Sequence, residues 1–250
     1  MVEDRPEDDS RARTAAQFAT THWSVVLAAG DSGSPDSREA LETLCRQYWY
    51  PLYVFVRRKG HPPADAQDLT QGFFELVLRK HCVREVVREK GRFRTFLLTI
   101  LQRFLLGQFD RATARKRGGK APCIPMDEWE NRAHIAPPLA DSENPEETFD
   151  RAWAETVIQS SLKQLGEEYA ASGRGPLFAE IQLYLSRPAD RAAYTQSGRR
   201  LGISADAVAT AVVRLRRRYR EIVRNQVAQT VATPAEIDDE MRYLVRLLTR

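Results

Sequence analysis

The chain has 250 residues, 42% apolar and 29% charged, enough to bury one large or two small cores and too apolar for a disordered polypeptide. Its net charge of +4 is modest, but acids and bases are segregated along the sequence, so local charge matters more than the total. No apolar run approaches the roughly 18 to 20 residues that span a bilayer, and the acidic start Met1 to Asp9 lacks the basic-then-apolar order of a signal peptide, which predicts a cytoplasmic protein with no membrane partner.

In chain order, residues 1–13 read as a mobile acidic tail and residues 14–117 as one helical domain. Its first helix carries Phe18, Trp23, Val26 and Leu27. The second starts near Ser37, carries Leu41, Leu44, Tyr48, Leu52 and Phe55, and ends in Arg57-Arg58-Lys59-Gly60, cations then glycine, a C-terminal signal. After Pro62-Pro63 a third helix covers about Ala64 to Leu78. A short stretch from His81 to Gly91 precedes a fourth, whose spine is Phe93, Phe96, Leu97, Ile100, Leu101, Phe104, Leu105 and Phe109. Residues 118–147 break the pattern with five prolines and a run of acids, and predict a linker that separates two domains.

A second helical domain is expected over 148–230, with Phe149, Trp153, Val157, Leu162 and Leu165 on its first helix and a short helix from Pro176 to Leu185. Leu201-Gly202-Ile203-Ser204 and the helix after it read as a helix-turn-helix. Gly202 supplies the turn, Ser204 the N-cap, and Asp206 an acid in the first turn, where the dipole favours one. Val208, Val212, Leu215, Tyr219 and Ile222 recur at steps of four and three and face a core. The opposite face carries the cations of Arg214-Leu215-Arg216-Arg217-Arg218-Tyr219-Arg220, the pattern of a helix that lies against DNA. A final amphipathic helix within 231–250 carries Ile237, Met241, Leu244, Val245 and Leu248. The fold class is therefore all-α, two helical domains joined by a long acidic, proline-containing linker.

Three constellations could carry chemistry. Asp65, Asp68, Gln71 and Glu75, beside Phe74, give the third helix an acidic and amide face suited to a protein partner. Arg92, Arg94, Arg103, Arg111, Arg115 and Lys116 make the fourth helix a second phosphate-binding surface. Cys45, Cys82 and Cys123 form no disulfide framework, and the four histidines form no spaced pair with them, so no metal, no cofactor and no catalytic group is expected.

Taken together these segments resemble a bacterial RNA polymerase sigma factor of the two-domain extracytoplasmic-function group. Tyr48, Pro51-Leu52-Tyr53 and Arg57-Arg58 are similar to the opening helix of sigma domain 2. Asp65-Ala66-Gln67-Asp68-Leu69-Thr70-Gln71-Gly72-Phe73-Phe74 is similar to the helix that docks on the β′ clamp of the polymerase. Gly91-Arg92-Phe93-Arg94-Thr95-Phe96 resembles the start of the helix that engages the melted promoter element, and the helix-turn-helix resembles domain 4, which reads the upstream element and contacts the β flap.

The resemblance implies polymerase contacts at Asp65, Asp68, Gln71, Phe74 and Glu75, and melted-strand contacts at the fourth-helix cations. It implies base capture by His81 to Gly91 and a linker that runs through the RNA channel. For the upstream element it implies Ser204, Thr210, Arg214, Arg217 and Arg218, with Arg199 and Arg200 on phosphates. Gly72, Gly198 and Val213 depart from the family pattern, and the last helix exceeds its minimal plan: it regulates, packs on domain 4, or binds a partner such as an anti-sigma protein. The expected partners are core RNA polymerase and promoter DNA. The rivals are a helix-turn-helix regulator that binds duplex DNA without polymerase, and a helical protein-binding adaptor.

Overall fold

The computed structural model describes residues 35–79, 92–116, 144–188, 190–231 and 233–249. The acidic tail, the first expected helix, the His81 to Gly91 segment and most of the 118–147 linker lie outside the described residues, as do the side chains of Arg111, Arg115 and Lys116.

All regular structure among the described residues is helical. In order these are α1 (Pro35–Arg58), α2 (Pro63–Arg79), α3 (Phe93–Lys116), α4 (Pro145–Ala171), α5 (Gly175–Ile181) with a 3-10 turn at Gln182–Leu185, α6 (Arg191–Leu201), α7 (Ala205–Ala228), and α8 (Ile237–Leu248) after a 3-10 turn at Pro234–Glu236. None of the described helices is long and apolar enough to cross a membrane. The chain divides into two compact units. One is formed by the residues up to Ala154 together with Ala228–Arg250, the other by Glu155–Val227.

In the first unit, α1 turns Tyr48, Leu52, Phe55 and Val56 inward at helical spacing, and all four are fully buried. It stops where the signal lay: Gly60 adopts φ 92° and its N–H bonds the Arg57 carbonyl at 3.0 Å. Phe73 of α2 meets Phe104 of α3 edge-on at 6.1 Å, while Phe93 of α3 meets Tyr48 at 5.4 Å. Each such ring withdrawn from water contributes about 1.5–3 kcal/mol before entropy is counted. Gly72 faces the Phe104 ring, so the position that departs from the sigma pattern lies against α3 rather than on an open surface.

Two expectations about domain boundaries need correction. Phe149 and Trp153 are fully buried in the first unit, where Phe149 packs edge-on against Phe55 at 6.5 Å. The segment 118–147 therefore joins two helices of one unit instead of separating two domains. The last helix, for which packing on domain 4 was one expectation, also belongs to the first unit. Its inner row is Ile237, Glu240 and Leu244, whereas Val245 and Leu248 are exposed. A glutamate on the inner row shifts the real stripe away from the apolar one read in the sequence. The returning chain caps α3: the Phe93 N–H, an orphan at a helix start, donates to the buried Thr230 carbonyl at 3.0 Å.

The second unit packs the later turns of α4 with α5, α6 and α7 around Leu165, Tyr169, Ile181, Tyr184, Val208, Val212, Leu215 and Ile222. Asp190 caps α6 by accepting the Ala193 N–H at 2.8 Å, and Gly202 ends it in the left-handed region at φ 68°. Ser204 caps α7 as predicted, accepting the Ala207 N–H at 3.1 Å. Gly198 receives the Gly202 and Ile203 N–H groups on its carbonyl. A Cβ at residue 198 would lie 2.6 Å from the Ile203 carbonyl oxygen. The tight turn thus needs glycine at the position where the sequence departs from the sigma pattern.

Candidate nucleic-acid interface

The α6–α7 pair positions one coherent polar row. With Val208, Val212, Leu215, Ile222, Val223 and Val227 held in the core, helical geometry sends Thr210, Val213, Arg214, Arg217 and Arg220 outward, and all five are exposed. Arg214 has no carboxylate partner among the described residues. Arg217 pairs with Glu221, one helical turn on, at 3.1 Å, and its side chain stays 83% exposed. Thr210 is exposed and donates to the Asp206 carbonyl at 2.9 Å. Val213, read in the sequence only as a departure, is an exposed apolar group at the centre of this row.

Three other arginines of the pair are held by partners. Arg218 grips Glu168 of α4 with two hydrogen bonds of 2.8 and 2.7 Å and reaches Glu221 at 3.3 Å. The hydrogen bond from Arg218 holds the Glu168 carboxyl below its ordinary value, and the same bond raises the guanidinium of Arg218. Arg200 donates to Glu180 at 3.0 Å, and the Ser197 hydroxyl bonds the same oxygen at 2.7 Å. Those bonds, Ser197 foremost, depress the Glu180 carboxyl. Arg216, which the sequence reading left without a role, donates to the Tyr184 carbonyl at 3.0 and 2.7 Å and closes the end of the 3-10 turn. Of the seven upstream-element residues, Arg199, Ser204, Thr210, Arg214 and Arg217 lie exposed on the helix pair, Ser204 as the α7 cap, while Arg200, also exposed, and the partly exposed Arg218 are tied to acids.

The basic surface expected on α3 is built differently. Arg94 is 2% exposed, a core residue and not a surface cation. Its Nε pairs with Asp150 of α4 at 2.9 Å, its Nη1 contacts Glu240 of α8, and its plane lies 4.7 Å from both the Trp153 and the Tyr243 rings. Tyr243 donates to the second Asp150 oxygen at 2.5 Å. Arg92 pairs with Glu240 at 2.8 Å and lies over Tyr243 at 5.1 Å. Two cations and two carboxylates balance inside one unit. Burial lowers the Arg94 pKa, Asp150 pushes it back up, and burial foremost raises the Tyr243 hydroxyl. The sequence could not reveal this, because Glu240 lies 146 residues from Arg94. Arg103 remains partly exposed on α3.

On α2, Asp65, Asp68, Gln71 and Glu75 are exposed. Phe74, expected beside them as a contact, is 9% exposed and packs edge-on against Phe73 at 5.8 Å, so it supports the row from beneath. No group of three His, Cys, Asp or Glu side chains at metal-binding range occurs among the described residues. Comparison of the chain with protein-family models, curated proteins and solved structures finds no match.

Proposed function

We propose that this chain is a sigma factor: it binds core RNA polymerase, reads an upstream promoter element with α7, and favours opened DNA by binding it better than duplex. The polymerase performs the chemistry. One observation carries the reading, namely a capped, glycine-turned helix-turn-helix whose outward row joins Thr210, Val213, Arg214 and Arg217. Side chains of these types suit a major groove: guanidinium groups pair with guanine edges or phosphates, and apolar groups meet the thymine methyl. The exposed Asp68, Gln71 and Glu75 row of α2, in the other unit, supports the polymerase half of the proposal. In reconstituted transcription, the protein added to sigma-free core polymerase yields defined start sites from a fragment library. Absence of both co-purification with core polymerase and defined starts defeats the reading.

A second reading, a regulator that acts on duplex DNA alone, draws on the burial of Arg94, which withdraws one cation from the surface expected to hold the melted strand. It predicts duplex binding with no transcripts.

A further inference from the structure

The outer face of α1 carries an aromatic row, flanked by arginines, to which the proposed function assigns no role. Arg46, Trp49, Tyr50, Tyr53 and Arg57 are spaced by three, one, three and four residues, which puts them on one side of the helix, turned away from the buried Tyr48 and Phe55, with Trp49 bordering the buried Leu52 and Val56. Trp49 and Tyr53 stack in parallel, 5.3 Å between ring centroids with an interplanar angle of 7°. Trp49 keeps 36% of its surface exposed and Tyr50 keeps 50%, and Tyr50 has no ring partner among the described residues. Trp49 and Tyr50, with the half-buried Tyr53 beside them, forgo much of the burial that normally retains such side chains.

The charge around the row selects its ligand. From Cys45 to Ala64 the sequence contains no aspartate or glutamate, while Arg46, Arg57, Arg58 and Lys59 are all cationic; Glu146 of α4 comes within 4.0 Å of Lys59, past the C-terminal end of the row. Arg46 and Arg57 lie exposed at the two ends of the aromatic row, and Arg57 is steadied by donating to the His61 carbonyl at 2.7 Å. Flat rings between cations match a polyanion that carries its own flat rings. Bases that have left the duplex stack on aromatic side chains, and flanking arginines neutralise the phosphates between them. Duplex DNA hides its ring faces and offers this row only its charge.

We infer that the α1 row Arg46, Trp49, Tyr50, Tyr53 and Arg57 binds single-stranded DNA, stacking unpaired bases on Trp49 and Tyr50. The inference deepens the promoter-opening reading and rests on it for the source of the strand. It also gives the first unit a single-strand surface that does not depend on Arg94.

Fluorescence anisotropy of a short labelled oligothymidylate against the full chain tests it, with a labelled random duplex as the parallel arm. Trp49→Ala and Tyr50→Ala each weaken oligothymidylate binding by about 5- to 100-fold, the range for losing one stacked base, and leave duplex binding unchanged. Trp49→Phe keeps a ring and retains most of the affinity, which separates stacking from a fold defect. Arg214→Ala with Arg217→Ala shows the reverse pattern. Wild-type oligothymidylate binding by both alanine variants overturns the inference, as does a parallel loss on duplex. So does binding of oligouridylate alone, or a loss of core polymerase binding with oligothymidylate binding intact, the mark of a protein-docking face. Failure to assemble with core polymerase, with the oligothymidylate result intact, defeats the sigma reading and not this site.

Discussion

Two arginine-rich helices in this chain look alike in sequence and use their cations in opposite ways. On α7 the guanidinium groups of Arg214 and Arg217 extend from the outward face of a helix whose other face is core. At the start of α3, Arg94 lies in the core itself, between Asp150 and Glu240 and between two aromatic rings, with Arg92 beside it on the same carboxylate. The difference lies in what folds against each helix. Acids from α4 and α8 close over Arg92 and Arg94, whereas Arg214 meets none among the described residues. A count of cations therefore says little about which can reach a polyanion; the carboxylates that arrive from distant parts of the chain decide it.

The sharpest way to break this comparison is to remove the buried cation. Arg94→Met takes the guanidinium from Asp150 and leaves the fully buried Glu240 with Arg92 alone, so one negative charge is stranded, and it is expected to cost about 3–5 kcal/mol in urea unfolding. Adding Glu240→Gln to that variant recovers part of the loss, because it removes one stranded charge. Arg214→Ala, on the open face, changes stability by no more than about 0.5 kcal/mol. Equal small effects at both positions would dissolve the distinction.

The next test reads affinity. Arg214→Ala with Arg217→Ala is expected to weaken binding to duplex DNA roughly tenfold or more, and to make the dependence of log affinity on log salt shallower by about two contacts. Unfolding should barely move. An unchanged salt slope would mean that these arginines do not meet phosphate or base at all.

Much of this was legible from the sequence, and the limits have physical causes. The helices of both units, the Gly60 stop, the Gly202 turn and the Ser204 cap follow from local spacing and backbone preference, which residues a few positions apart determine. The α7 core row followed from the same periodicity. The buried ion cluster did not, because Asp150 and Glu240 lie 56 and 146 residues from Arg94, and a glutamate inside an amphipathic helix reads as solvated. The boundary was misplaced for a related reason: prolines and acids mark a break in helix but do not say which unit the next helix joins. Phe149 and Trp153 decide that by packing into the first unit. Phe74 shares its face with the exposed Gln71 and Glu75, yet its own ring packs inward, which spacing alone does not show.

Arg218 falls between the two extremes and offers the smallest and most specific effect. Its bidentate grip on Glu168 leaves 42% of the arginine side chain and 34% of the glutamate side chain exposed, so water screens the pair and it contributes no more than about 1 kcal/mol. The hydrogen bond from Arg218 depresses the folded-state pKa of Glu168 below its ordinary 4.5. A depressed carboxylate contributes stability that is fully present above the ordinary value and is lost as pH falls through the lower, folded one. The stability gap between wild type and Glu168→Gln should hold steady from neutral pH down to about 4.5 and close below it. Urea midpoints across that range measure the gap. A gap that persists into strong acid would mean Glu168 acts through packing, and that Arg218 belongs with the open cations of α7 and not with the tied ones.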